Sequence, residues 1–190
     1  MNRERELKYI ARSSVPPLLP PGWSLGRESA VKEITDIYLD HTASLISRGW
    51  ALRRRETAGA PTRYTLKRNA TQTGAFHQRD EIERESDQIP VEIVHEIGVQ
   101  LASELQEVVR LQQRRRSWSL HLDGSSVADL TMDEIRSGHT HWSELEVEFI
   151  PSINDGEATE LAEILQEFFA QDETLTPSRQ SKLESAIAAL

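Results

Sequence analysis

The stretch Ser143-Glu144-Leu145-Glu146-Val147-Glu148-Phe149 alternates acid and hydrocarbon residue by residue. Along an extended strand successive side chains point to opposite faces. Glu144, Glu146 and Glu148 therefore share one face, and Leu145, Val147 and Phe149 the other. The same period recurs through the chain. Glu4, Glu6 and Lys8 fall on one face, as do Arg53 and Arg55, then Arg63, Thr65 and Lys67, then Arg79, Glu81, Glu83 and Glu85. Leu7, Leu52, Leu66 and Ile82 occupy the opposite faces.

One charged and one apolar face is the ordinary pattern of a half-buried antiparallel strand. Two features set this series apart from a solvated surface. Like charges stand as near neighbours, which destabilises a sheet unless something neutralises them. The residues are also almost exclusively Glu and Arg, without the Ser, Asn and Gln that a solvated face mixes in. Charged faces turned inward around a closed sheet account for both. Such an interior offers hard carboxylate oxygens suited to Mg2+ or Mn2+. Beside them it offers guanidinium and ammonium groups that hold phosphate oxygens. A site of both kinds matches metal-assisted phosphoryl or nucleotidyl transfer, where catalysis is mostly positioning and charge stabilisation.

The whole chain, residues 1–190 and 21.6 kDa, reads as one domain. With 22 Lys and Arg against 31 Asp and Glu, its net charge is −9. The far field of such a chain repels nucleic-acid polymers and anionic membranes, so neither is expected as a partner. The mean hydropathy of −0.53 is low, but clear periodicity argues against disorder. There is no cysteine, which excludes thiolate metal sites, disulfides and thiol nucleophiles. No apolar h-region opens the chain and no membrane-length apolar run appears, so a soluble, cytoplasmic protein is expected.

Strands are expected near Glu4–Ile10, Val31–Asp40, Trp50–Glu56, Arg63–Arg68, Gln78–Glu85, Leu111–Leu122, Ser126–Ile135 and Trp142–Ile150. The proline-rich stretch from Val15 to Gly22 is a loop, and Asp123-Gly124 marks a hairpin. Helices are expected over Pro90–Gly98, Leu101–Leu111, Glu157–Gln171 and Lys182–Leu190, with a helical turn at Thr42–Arg48 stopped by Gly49. The fold class is α+β, with one sheet strongly curved or closed on itself. His139 and His141 read as loop residues, and Trp23, Trp50, Trp118 and Trp142 as packing. No glycine-rich phosphate loop and no nucleophile elbow is present.

The ordered series of motifs resembles the CYTH superfamily of triphosphate tunnel metalloenzymes. Glu4-Arg5-Glu6-Leu7-Lys8 resembles its N-terminal ExExK motif. Thr35-Asp36-Ile37-Tyr38-Leu39-Asp40 resembles the Tyr-Phe-Asp strand, and Gly49-Trp50-Ala51-Leu52-Arg53-Arg54-Arg55 the Gly-x-x-Leu-Arg-x-Arg strand. Tyr64-Thr65-Leu66-Lys67, Arg79-Asp80-Glu81-Ile82-Glu83, Arg114-Arg115-Arg116-Ser117-Trp118, Leu130–Ile135 and Ser143–Glu148 follow in family order. The resemblance implies an eight-stranded antiparallel barrel forming a tunnel, with helices outside, that binds a triphosphate with Mg2+ or Mn2+. It implies Glu4, Glu6, Glu144, Glu146 and Glu148 as metal ligands, assisted by Glu81, Glu83 and Asp133. Lys8, Arg53, Arg55, Lys67, Arg79, Arg115 and Lys182 are implied as phosphate-binding, and Glu4, Glu6, Lys8 and Lys67 as catalytic. Arg114 and Arg116 share one face and Arg115 the other; only the spacing to Trp118 favours Arg115 for the tunnel. Gln113 stands where many relatives have Lys.

The activity implied is hydrolysis of a triphosphate, inorganic triphosphate first. The alternatives are adenylyl cyclase chemistry, thiamine triphosphate hydrolysis, or a non-catalytic polyphosphate-binding module. Class IV cyclases carry extra residues ahead of ExExK, whereas here that motif lies at the very start. The family and the apolar stripe of Leu161, Ile164, Leu165, Phe168 and Phe169 also suggest a homodimer.

Overall fold

A computed structural model describes residues 2–188, leaving the side chain of Asn2 aside. Ten strands and four helices follow in order: β1 (Asn2–Ala11), β2 (Trp23–Leu25), β3 (Lys32–Asp40), β4 (Ala51–Thr57), β5 (Arg63–Thr73), β6 (Phe76–Glu85), α1 (Val91–Ile97), α2 (Val99–Glu104), β7 (Gln106–Leu122), β8 (Ser125–Ser137), β9 (Thr140–Phe149), α3 (Asp155–Phe169), β10 (Leu175–Pro177) and α4 (Lys182–Ile187). Eight strands pair antiparallel in the order β1-β6-β5-β4-β3-β7-β8-β9, and β9 pairs back onto β1, so the sheet closes on itself. Closure leaves these strands one face toward a lumen and one toward the outside. Short β2 joins β7 and β10 joins β1 as outriders.

Register assigns the faces. Lys8 stands opposite Glu146, Lys67 opposite Glu81, Asp36 opposite Arg55 and Arg115 opposite Asp133, all on the lumen side. The outer faces carry the hydrocarbon. Leu7, Tyr9, Leu145, Val147 and Phe149 pack under α3, whose Leu161, Leu165 and Phe169 face them. Tyr9 and Phe169 meet edge to face, with ring centroids 5.6 Å apart. A second outer layer sets Ile93 and Ile97 of α1 against Leu45, Leu52, Tyr64 and Leu66. A third cluster lies across one end of the lumen, where Leu183 and Ala186 of α4 pack on Tyr38, Val109, Leu111 and Ile135. A capping box fixes the start of α4: Ser181 Oγ accepts from the Glu184 amide at 3.2 Å, and the Glu184 carboxylate accepts from the Ser181 amide at 2.7 Å.

The helix expected over Leu101–Leu111 is replaced by the short α2 and the start of β7. Leu101, Leu105 and Val108 fit a helical period, but Val109 and Leu111 also fit a strand period. Pairing of residues 106–111 with β3 decides in favour of the strand. Strands β2 and β10 are too short for an alternation to show, and Pro177 ends β10 without an amide to donate. At Gly49 the backbone turns left-handed (φ 71°) after a 3-10 turn over Ile46–Arg48, the stop expected there. The helix expected over Lys182–Leu190 ends at Ile187, with residues 189 and 190 outside the described part. The apolar stripe of α3 is spent mainly on the core; only Ile164 is clearly exposed, at 47%.

Candidate active site

Alternation on eight strands sends a buried polar network into the lumen. Lys67 Nζ lies 2.6 Å from Glu4 Oε1 and 2.9 Å from Glu81 Oε1. Arg79 lies 3.2 Å from Glu6 through Nη2 and 3.2 Å from Glu4 Oε2 through Nε. The second of these contacts lacks hydrogen-bond geometry, so Glu4 Oε2 and Arg79 Nε are buried without a hydrogen bond. Lys8 Nζ sits 3.0 Å from Glu146 and 3.4 Å from Glu144. Burial works against the charge of Lys8, yet Glu144, Glu146 and Glu6 hold its pKa well above the ordinary lysine value.

On the other side of the ring, Arg115 grips Asp133 with Nε at 2.7 Å and Nη2 at 2.5 Å, and reaches Glu146 at 3.2 Å. Arg114 and Arg116 point outward to Glu134 and Glu28. Lys182 enters from α4, placing Nζ 2.8 Å from both Asp133 and Glu146. Burial alone would raise the pKa of these two carboxylates; Lys182 and Arg115, together with Lys8 at Glu146, lower both.

Asp36 is the hub that sequence reasoning left without a role. Arg55 donates to it twice at 2.7 Å, Gln113 Nε2 donates at 2.6 Å, and Arg53 Nη1 stands at 3.5 Å. It is fully buried, and despite that burial Arg53 and Arg55 hold its carboxyl well below the usual range. Its signal was a lone acid between Ile34 and Tyr38 at i±2, a charge on an otherwise apolar face. Gln113 fits the same place: a neutral donor to a carboxylate already engaged by two arginines. Glu83 lies nearer the surface, accepting from Thr65 Oγ1 at 2.9 Å and paired with Arg63 at 3.3 Å.

Glu148 differs from its neighbours in making no ion pair among the described residues. It stands directly opposite Glu6 in the β1–β9 register. Its side chain is open to water in the lumen while protein surrounds it on several sides. That depth, with Glu4, Glu6 and Glu81 nearby and only Lys67 opposing, pushes its carboxyl up to about 8. Facing carboxylates of this kind suit a divalent cation. Among the described residues no three carboxylates or imidazoles are already gathered as a ready metal site, because most of these acids are engaged with lumen cations. His139 and His141 lie at the exposed β8–β9 turn, away from the lumen.

A chamber of about 230 Å3 remains at the centre, walled by Glu4, Lys8, Arg53, Lys67, Arg115 and Lys182 among others. Of the anticipated phosphate-binding cations, Lys8, Arg53, Arg79 and Lys182 are buried and Arg55, Lys67 and Arg115 part-buried, and all seven line the chamber. The arrangement presents several fixed cations to one guest, backed by carboxylates that such a guest would displace.

No curated protein sequence matches the chain. Among solved structures, HpAC1 from Hippeastrum, assigned as an adenylyl cyclase and described as having a dominant triphosphatase activity, has a similar fold. It shows 20% identity and a TM-score of 0.70 over 98% of this chain and 96% of that one. The PH1819 protein of Pyrococcus horikoshii OT3 shows 22% identity and a TM-score of 0.63 over 98% and 99%. A Bacillus halodurans protein assigned as an adenylate cyclase shows 16% and 0.58 over 97% and 98%. A CYTH domain model matches residues 2–187, spanning every strand of the ring and the helix across its end, and the chain therefore belongs to the CYTH-domain family.

Proposed function

We propose that the protein is a divalent-metal-dependent triphosphatase, acting first on inorganic triphosphate. The observation that carries this reading is the convergence of Lys8, Arg53, Lys67, Arg79, Arg115 and Lys182 on one chamber, each paired to a carboxylate rather than to solvent. Buried ion pairs cost desolvation and often stabilise no better than hydrocarbon would. An interior built of them is better explained by a guest that uses both signs.

Glu4, Glu6, Glu144, Glu146 and Glu148 are the ligands we assign to Mg2+ or Mn2+, with Glu81, Glu83 and Asp133 at the margin. The facing, undercompensated pair Glu6 and Glu148, of which Glu148 lines the chamber and Glu6 lies buried beside it, fits a cation best. Bound there, the metal supplies charge neutralisation to phosphate oxygens and acidifies a water. The chain supplies the rest. Lys67 and Arg79 would exchange Glu4 and Glu6 for phosphate oxygens, which would leave those two carboxylates free to hold the metal. Arg115, held bidentate by Asp133, and Arg55, held bidentate by Asp36, keep their guanidinium planes fixed while they bind, which spares reorganisation. Lys182 closes the chamber from α4. Hydrolysis consumes one water: its oxygen stays on the released orthophosphate, the bridging oxygen leaves with pyrophosphate, and a proton passes to bulk water.

The similarity to HpAC1 supports this order of preference, since triphosphatase activity is described as dominant there. Incubation with tripolyphosphate, ATP and thiamine triphosphate under Mg2+ and Mn2+, with orthophosphate and cyclic AMP both measured, tests it. Orthophosphate mainly from tripolyphosphate is expected. Cyclic AMP as the main product from ATP would overturn the reading in favour of a cyclase. Tight binding without turnover would overturn it in favour of a binding module.

A further inference from the structure

Away from α4, the chamber opens into an outer cavity of about 690 Å3, and the two share Arg55, Arg63, Arg115 and Glu148 as walls. One lip of this mouth holds two cations that the ion-pair network leaves unused. Lys32 stands opposite Arg115 in the β3–β7 register, so its side chain leaves the sheet on the lumen face beside that arginine. Arg27 is carried by residues 26–29, which lie along β7: the Gly26 amide donates to Ser119 O at 2.8 Å and the Ser29 amide to Ser117 O at 2.9 Å. Gly26 approaches β7 so closely that a Cβ would collide with Ser119 Oγ, which holds Arg27 to this lip. Neither Arg27 nor Lys32 forms an ion pair or side-chain hydrogen bond with another described residue.

Between the lips the wall presents hydroxyls, among them Ser29, Ser117 and Thr131. Thr131 Oγ1 is buried without a hydrogen-bond partner. Among the described residues, none offers this mouth a free aromatic platform. Trp118 contributes to the wall, but it is 6% exposed, packs in the outer apolar layer and is covered by the Arg116 guanidinium at 4.8 Å. A nucleobase or other heteroaromatic ring gains most from a free ring face, whereas a phosphate gains from cations and hydroxyl donors. Asp129, opposite Glu148 in the β8–β9 register, puts one acid on the far lip.

We propose that the mouth is a subsite for the further phosphates of a linear inorganic polyphosphate of four or more units. Arg27 and Lys32 bind the units beyond those in the chamber, and Asp129 faces the divalent counter-ions that such a chain carries. This extends the triphosphatase reading, on which it rests for the occupancy of the chamber.

The test compares tripolyphosphate, tetrapolyphosphate and thiamine triphosphate on the wild type and on the double variant Arg27→Ala/Lys32→Ala. Turnover is measured under Mg2+, and binding by calorimetry in EDTA. Tetrapolyphosphate is expected to have a KM about tenfold below that of tripolyphosphate. The double variant should erase that difference while leaving the tripolyphosphate KM and kcat within about twofold, at unchanged Tm. Equal loss for both chain lengths would reduce the two cations to a general field and overturn the subsite, as would no loss for either. Preference for thiamine triphosphate over tetrapolyphosphate would overturn it in favour of an organic group at the acidic lip. If tripolyphosphate is not hydrolysed under any divalent metal, the triphosphatase reading falls, while chain-length discrimination in EDTA that the double variant abolishes sustains the subsite.

Discussion

Glu6 on β1 and Glu148 on β9 face each other directly across the pairing that closes the ring, and Glu6 has Arg79 3.2 Å away while Glu148 has no cation partner among the described residues. Closure of the sheet thus depends on a seam where two acids meet. Like charges directly opposite are destabilising, so the seam is strengthened by protonation or by a bound cation.

The metal-free protein should lose stability as pH rises, because of Glu148. Its carboxyl has a folded pKa of about 8, above the ordinary value of 4.5. A raised acid binds its proton more tightly in the folded state, so ionising it costs stability progressively above pH 4.5 and fully above pH 8. In EDTA the Tm should fall between pH 5 and pH 8 and level off above, and Glu148→Gln should flatten that fall. His77 acts in the opposite sense: burial lowers its pKa below the usual 6.5, so its contribution to stability rises with pH on the acid side of neutrality, and the comparison with Glu148→Gln isolates the Glu148 part. An equal fall in Glu148→Gln would assign the effect elsewhere.

Binding of Mn2+ should be linked to the same proton. A carboxylate must be deprotonated to ligate a metal. Calorimetry in buffers of different ionisation enthalpy should show release of about half a proton per ion at pH 8. Affinity should rise from pH 6 to pH 9. Glu148→Gln should remove both the proton release and the pH dependence.

Asp36→Asn should be costly even though the substitution is nearly isosteric. It removes the counter-charge from Arg53 and Arg55 inside the ring, where breaking one member of a buried pair costs about 3–5 kcal/mol. The wild-type carboxyl is depressed, so its contribution is present above the unfolded pKa of about 3.9 and is lost as pH falls below that. Asp36→Asn should therefore be less stable at pH 7, and its stability should vary less between pH 4 and pH 2. Urea titrations at pH 7 and pH 3 measure both.

Leu183→Ala tests whether α4 seals the chamber or merely decorates it. Leu183 is buried against Tyr38, Val109, Leu111 and Ile135, so truncation should cost about 2–4 kcal/mol. If α4 positions Lys182, the variant should also raise the KM for tripolyphosphate more than it lowers kcat. A stability loss with unchanged KM would leave α4 a packing role only.

The strands with charge on one face were legible before any coordinates, because a period of two is explicit in Glu144–Glu148, Arg79–Glu85 and Arg63–Lys67. Which face turned inward was not legible from any single strand. It followed only when like charges in many strands had to find partners, as Lys67 does between Glu4 and Glu81. Three things escaped for physical reasons. The pairing of residues 106–111 with β3 overrode a helical period that the isolated segment also satisfies. The role of Asp36 was hidden because its arginines lie 17 and 19 positions away on a neighbouring strand. Arg27 and Lys32 sit in or beside a loop, where no period reports which way a side chain points. Arg115 was ambiguous in a run of three arginines until Asp133 opposite it settled the face.

The most direct test of the account is the rate of orthophosphate release from tripolyphosphate with Mg2+ or Mn2+, in the wild type and in Glu4→Gln and Lys67→Ala. These two residues form the 2.6 Å pair that triphosphate and metal must separate. Losing either removes a group that stabilises developing charge, for which a loss of about 100- to 1,000-fold in kcat is expected. Circular dichroism and Tm measured with Mg2+ present would establish that both variants fold. Hydrolysis by the wild type, abolished by EDTA and reduced by at least two orders of magnitude in both variants, is the predicted result. Hydrolysis at wild-type rate in either variant, or none by the wild type under any divalent metal, would contradict the account.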